Sequence, residues 1–258
     1  TEKEALKKDI GIFGYPMVLK ADGLAAGKGV VLAENYEEAE KAIEEMMGDR
    51  IFGDAADLIV VEECLRGIEA SMLCFFNDEL KKEIDEKILQ PTIRGFIEDG
   101  LDFHGVLFIG LMIGEDGPKV IEFNNRFGDP ETQSVLMRLE TDLADIFDAC
   151  IDGTLDQIDI RWSDRRAGCV VLASGGYPGS YEKGKVIRGL DDVDEDIVVF
   201  HAGTAEKDGQ IVTSGGRVLG VTAVGATNDE ARAKAFANVE KITFEGAQYR
   251  KDIGKINR

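Results

Sequence analysis

The sequence predicts an α+β protein in two parts, and three observations carry that prediction. Short β-rich runs recur along the chain, from Tyr15–Lys20 to Val218–Val224, several of them bounded by glycine-rich turns. Helical patterns with their own start signals lie between them, such as Asn35 with Glu38 three residues on. The pattern weakens around Asp152–Arg166, with a domain boundary near Asp156–Arg166, and then resumes with new strands. That break divides 1–160 from a small, mostly β segment, 161–258.

Taken in order, YPMVLK and GVVLA read as two short strands joined by the small-residue loop ADGLAAGK. A helix follows: Asn35 is a good N-cap, Glu38 its capping-box partner, and Ala39, Ala42, Ile43, Met46 and Met47 recur at helical spacing. Leu58–Glu63 reads as a buried strand ending in acid, and Ala70–Phe75 as another. Asp78–Arg94 reads as a helix interrupted at Pro91. Gly105–Ile113 and Lys119–Asn124 read as paired strands turning through GEDGP. Glu131–Leu139 and Asp142–Ile151 are helical, the second ending before Gly153. Past the break come strands at Cys169–Ala173, Ile197–His201 and Val218–Val224. A helix then starts from the Thr227/Glu230 box and runs to Val239.

The chain has 258 residues, 44% of them hydrophobic, enough for one large or two small cored domains. A net charge of −20 repels nucleic acids and anionic membranes. It leaves room for a phosphate ligand, which needs only a few local cations and N–H groups. The four cysteines form no C-x-x-C pair, and with two histidines they make no zinc-like cluster. Three of them sit in apolar runs as small buried hydrophobes, which suits a reducing compartment. No run reaches the length of a membrane span, and TEKEALKKD has no signal-peptide pattern, so the expected location is cytoplasmic.

Three constellations carry chemistry. In Lys20-Ala-Asp-Gly-Leu-Ala-Ala-Gly-Lys-Gly-Val30, Gly27 and Gly29 flank Lys28, so backbone N–H groups can fold over an anion while Lys28 and Lys20 supply charge. The spacing is neither a Walker A loop nor a dinucleotide fingerprint, and taken alone it equally suits a plain hairpin. In Val120–Glu131, Glu122 and Asn124 point to one face of a strand, with Ile121 and Phe123 on the other face toward a core. One carboxylate and one amide oxygen suit a hard cation whose other ligands are nucleotide phosphates. Arg126 follows as a fork-shaped donor, and Asp129-Pro130-Glu131 turns into a helix whose N-terminus favours anions. The third, Val60–Leu65, ends a strand in Glu62 and Glu63, where backbone groups can meet an adenine edge and Glu69 a ribose. Taken alone, that third pattern is better explained by a strand running into solvent.

Together these segments resemble the phosphoribosylamine–glycine ligase family, or glycinamide ribonucleotide synthetases, of the ATP-grasp superfamily. The matching stretches are KADGLAAGKGVV, VVEECLRGIEAS, GVLFIGLM, VIEFNNRFGDPETQ, ASGGYPGSYEKGK and SGGRVLGVTA. They span about Tyr15 to Arg250, and the first with NNRFGDPETQ separates this family from biotin carboxylases. The resemblance implies an ATP-grasp fold: two α+β subdomains holding ATP between them, then a small β-rich domain. It implies an enzyme joining glycine to 5-phosphoribosylamine through glycyl phosphate, with ATP as co-substrate and Mg²⁺ or Mn²⁺. Carried over by residue, Lys20, Gly27, Lys28 and Gly29 hold the phosphates, and Glu62, Glu63 and Leu65 form the adenine hinge. Glu69 meets the ribose, Glu122 and Asn124 hold the metal, and Lys28, Arg126 and Asp129 serve the reaction. The loop around Gly23–Gly29 is expected to close over ATP.

Two departures from the family bear on completeness. The chain starts after the family's N-terminal glycine-rich domain. The family's Asp-His-Lys-Arg and Pro-Asn-Thr-Gly-Gly-Met-Gly runs are also missing where SMLCFF passes into NDELKKEI, a seam near residues 75–77. The expected partners are small molecules, with no nucleic acid or membrane, and the expected state is a monomer. Two other readings stay open: a different ATP-grasp carboxylate–amine ligase, and an ATP-binding module without turnover.

Overall fold

The computed structural model describes residues 6, 10–23, 29–49, 53–71 and 78–255. They fall into two compact units, Thr1–Ile68 with Met112–Asp116, and Glu69–Leu111 with Gly117–Arg258. The first unit holds β1 (Met17–Ala21), β2 (Val30–Ala33), α1 (Tyr36–Ile43) and β3 (Ile59–Glu63). The sheet order is β2–β1–β3, antiparallel throughout. Alternation along β1 sends Met17 and Leu19 to one face, where they are fully buried with Ala33 and with Ala39, Ala42 and Ile43 of α1. The expected cap forms: Asn35 Oδ1 accepts from Glu38 N at 2.9 Å. Glu38 Oε2 accepts from Glu34 N at 3.0 Å, one residue before the usual box partner.

β3 is a one-faced strand rather than the buried one the apolar run predicts. Val60 is 41% exposed, and Leu58, just before it, 60%. Ile59 and Val61 pack on the core, while Val60 stands opposite Lys20 on the other face. The sequence hides this alternation because both faces carry aliphatic residues. That second face is unusual for surface, since Val30 and Leu32 are each about half exposed on it.

β4 (Ile68–Ser71), β5 (Phe108–Gly114) and β6 (Gly117–Asn124) form a three-stranded sheet in that order. Before β5, α2 (Asp78–Ile84) passes through a wide turn at Asp85–Leu89 into α3 (Gln90–Glu98). Pro91 therefore does not end the helix. The wide turn closes with Gln90 N donating to Asp85 O, so Pro91 falls in the first turn of α3, where a missing N–H costs nothing. α4 (Glu131–Leu136) stops three residues before the expected Leu139, because Leu139 is taken up in a β-bridge to Trp162. α5 (Leu143–Ile151) starts from Asp142, whose carboxylate accepts from Ala144 N at 2.8 Å.

The C-terminal part of the second unit has β7 (Arg166–Ala173), β8 (Val198–His201), β9 (Thr204–Lys207), β10 (Gln210–Thr213), β11 (Arg217–Gly225) and α6 (Asn228–Val239). β11 is the centre of an antiparallel sheet, β7–β11–β8, and every residue after Arg217 is buried. Val218, Leu219, Val221 and Ala223 pack with Val170 and Leu172 of β7 and with Ala235 and Val239 of α6. The Thr227 cap forms as expected, with Glu230 N donating to Thr227 Oγ1 and Glu230 Oε2 accepting from Ala226 N at 2.8 Å. The β9–β10 hairpin turns through Asp208-Gly209, and both residues have positive φ, as the tightest hairpin turn requires. Cys64, Cys150 and Cys169 are free and half-buried rather than buried. No helix among the described residues is long and apolar enough to cross a membrane.

Candidate active site

In the first unit, Lys20 and Glu62 stand diagonally across β1 and β3 on the half-exposed apolar face. Their charged ends meet at 2.6 Å. The acid at the end of β3 thus has the partner that its position calls for. Glu63 is next in sequence and points to the opposite face, so the two acids do not act as a side-chain pair. Glu63 can serve a ligand on the Glu62 side only through its backbone, and Leu65, just past the strand, is half-buried. Gly29 is buried, and its carbonyl accepts from Ala21 N at 2.7 Å, tying the ends of the small-residue loop. Gly27 and Lys28 lie outside the described residues. Beyond Leu65 the chain passes so close to Ile113 that a Cβ on Gly67 would overlap the Ile113 carbonyl. Only glycine permits that approach.

In the second unit, Glu122 and Asn124 lie on β6, two residues apart as predicted. Glu122 runs beneath Gly110, whose added Cβ would come within 3.2 Å of Glu122 Cγ. Phe123 does not enter a core as expected; it is 50% exposed, and on this face Ile121 is only half-buried. Arg126 turns back on the strand end. Its Nη2 donates to Asn124 Oδ1 at 3.2 Å and its Nη1 to Phe127 O at 2.8 Å. Among the described residues the buried Asn124 Nδ2 has no partner, so the amide's orientation is set through its oxygen. A carboxylate and an amide oxygen are hard donors and fit Mg²⁺ or Mn²⁺. Among the described residues no group of three or more His, Cys, Asp or Glu could hold a metal. Glu69, on β4, is exposed.

The turn after β6 departs from its expected role. α4 has only six residues, and its first-turn Glu131 folds its own carboxylate over Gly128. The predicted anion preference of that helix end therefore lapses, since a like charge already occupies it. Asp129 is fixed instead from β11. Arg217 Nη1 meets Asp129 O at 2.5 Å and Asp129 Oδ2 at 3.2 Å, while Arg217 Nε donates to Tyr177 OH at 3.1 Å. Burial works to lower the Arg217 guanidinium, but Tyr177 and Asp129 beside it outweigh that and raise it. Burial pushes the neighbouring Cys169 thiol up, away from thiolate character. The sequence reading does not bring Arg217 and Tyr177 to Asp129. The available signal was a lone charge opening the most apolar strand of the chain, a position that demands a partner.

A model of the phosphoribosylglycinamide synthetase ATP-grasp (A) domain matches residues 1–79 and 75–132. A model of the C domain of the same synthetase matches 167–256. The phosphoribosylamine–glycine ligase of Caldanaerobacter subterraneus is 45% identical over 277 aligned positions, covering 93% of this chain and 66% of the relative. The chain thus spans a little under two thirds of that relative's length. The crystal structure of phosphoribosylamine–glycine ligase from Thermotoga maritima superposes with a TM-score of 0.82 at 33% identity, over 97% of this chain and 72% of that one. A biotin carboxylase domain from Hydrogenobacter thermophilus, solved with MgADP, shares the fold at a TM-score of 0.67 and 15% identity, over 96% of this chain and 64% of that one.

Proposed function

Because this chain belongs to the phosphoribosylglycinamide synthetase family and has its ATP-grasp fold, we propose that it joins glycine to 5-phosphoribosylamine at the expense of ATP. The products are glycinamide ribonucleotide, ADP and phosphate, a step of purine synthesis. The observation that carries the reading is the oxygen pair Glu122 and Asn124 on β6 with the Arg126 guanidinium against it. A carboxylate, an amide oxygen and an anion-binding fork within the five residues Glu122–Arg126 support that reading.

A carboxylate is a poor acyl donor, so glycine must first be activated. Its carboxylate oxygen attacks the γ-phosphorus, the bond to the β-phosphate oxygen breaks, and ADP leaves glycyl phosphate behind. The phosphoribosylamine nitrogen then attacks the acyl carbon, phosphate departs, and the amine loses a proton as the amide forms. A divalent ion on Glu122 and Asn124 would spread the charge of the transferring phosphoryl group. Lys20 neutralises nucleotide phosphate on the apolar face formed by Val30, Leu32 and Val60. Glu62 holds its ammonium in place until the nucleotide arrives. Gly27, Lys28 and Gly29 cradle the phosphates, and the backbone at Glu63 and Leu65 takes the adenine edge. Glu69 takes the ribose. Arg126 and Asp129 face the substrates. No Ser or Cys nucleophile is needed, since positioning and neutralisation carry the reaction.

We read residues 1–160 as the ATP-grasp part and 161–258 as a C-terminal domain. Support comes from family matches that end at 132 and resume at 167. An internal segment is absent near residues 75–77. The two-piece match around 75–79, and an alignment of 277 positions against a 258-residue chain, support that reading. The protein acts as a cytoplasmic monomer on small molecules. The test is ADP release by the full-length gene product with ATP, Mg²⁺, glycine and fresh phosphoribosylamine, each omitted in turn. Release that needs both glycine and phosphoribosylamine is expected; nucleotide binding with no release in any mixture overturns the reading.

A further inference from the structure

Three glycine-rich segments remain without a role in this reading: Gly175-Gly176-Tyr177-Pro178, Ser214-Gly215-Gly216-Arg217 and the Ala202-Gly203 turn. The structure brings all three to one side chain. A β-bulge between Arg217 and Leu219 breaks the alternation of β11 and re-aims Arg217 out of the sheet. The loop before it is clamped from two sides by backbone. Ser214 N and Gly215 N both donate to Gly203 O, and a Cβ on Gly215 would stand 2.9 Å from Gly203 Cα. Ser174 binds it as well, its N donating to Gly216 O and its Oγ to Gly215 O, each at 2.8 Å. The Tyr177 ring lies where a side chain on Gly216 would be, which brings its hydroxyl to Arg217 Nε. The guanidinium is therefore oriented before it reaches Asp129.

We propose that Arg217 is a positioning residue for the ligase reaction, holding Asp129 by both its carbonyl and its carboxylate so that the Arg126–Asp129 turn keeps a substrate-ready shape. This rests on the functional reading above. One guanidinium nitrogen, Nη1, meeting main chain and side chain of the same residue ties its backbone and its χ1 together, which a side-chain ion pair alone would not do. Arg126 braces the other end of the turn from within, through Phe127 O. The pair is half-exposed, at 39% for Arg217 and 53% for Asp129, and such pairs add little to stability. Its effect is therefore expected in turnover rather than in folding.

The experiment compares Arg217→Met, Arg217→Lys, Tyr177→Phe, Asp129→Asn and the Arg217→Met/Asp129→Asn double variant in the full chain. Steady-state ADP release and melting temperature are read for each. Arg217→Met is expected to lower kcat about 10- to 100-fold, the usual cost of a misplaced reacting group. The KM for ATP should stay within about twofold and the melting temperature within a few degrees, because nucleotide contacts are uniform binding that this change leaves alone. Arg217→Lys should recover part of the loss, and Tyr177→Phe should lower kcat in the same direction by less. Adding Arg217→Met to Asp129→Asn should cost less than Arg217→Met costs in the wild type, since the carboxylate contact is already weakened and only the carbonyl contact remains to be lost. Full additivity, or a kcat loss below about threefold in Arg217→Met, overturns the proposal while leaving the ligase reading intact. An inactive wild type overturns the ligase reading, and this proposal falls with it.

Discussion

Removing Arg126 should tighten divalent-metal binding while it damages turnover. Arg126 Nη2 donates to Asn124 Oδ1, the same oxygen that a metal would use. A guanidinium and a divalent cation cannot share one amide oxygen without repulsion, so metal entry must displace or weaken that hydrogen bond. The bond is worth about 0.5–1.5 kcal/mol net, toward the lower end because Arg126 is exposed. At about 1.4 kcal/mol per tenfold, Arg126→Ala should bind metal roughly two- to tenfold more tightly. The assay is a Mn²⁺ titration followed by the EPR signal of free Mn²⁺, at saturating ADP, on the wild type, Arg126→Ala and Asn124→Ala. Asn124→Ala should weaken binding by at least about tenfold, since it removes a direct ligand rather than an outer partner. Equal or weaker Mn²⁺ binding by Arg126→Ala would refute the competition.

Three further outcomes follow from the geometry. Lys20→Met should lower ATP affinity about tenfold or more but change stability by under about 1 kcal/mol, because its ion pair with Glu62 is partly exposed; nucleotide titration and thermal melting separate the two effects. Asn238→Ala should destabilise the C-terminal region by about 1–3 kcal/mol in urea unfolding, because fully buried Asn238 satisfies the Asp194 N–H, the Asp194 carboxylate and Lys234 O. Glu230 is held below the usual carboxylate range, first by the Ala226 N–H and then by Lys234. A depressed folded-state value means that its stabilisation is complete above the ordinary carboxylate range and is lost as pH falls through the folded value. The melting temperature of Glu230→Gln should thus lie below wild type at neutral pH and converge with it in acid; a gap that persists there would rule out the charge as the cause.

The sequence by itself determined the local structure wherever one residue satisfies a neighbour in the chain. The Asn35 and Thr227 caps, the β1–β2 and β5–β6 pairs and the Glu122/Asn124 spacing all depend on bonds or alternation over a few residues. The family-specific segments added the fold. Tertiary structure alone decided which aliphatic residues are buried. Val60 and Ile59 are alike in hydrophobicity, yet the helix covers one face of their sheet, so one is exposed and the other packs inward. It also decided which charges meet. Lys20 reaches Glu62 only because the β1–β3 register sets them diagonally, and Arg217 reaches Asp129 across 88 residues only because a bulge turns it. Local bonds can be read from neighbours in sequence; burial and long-range pairing are fixed by register and packing, which no single segment carries.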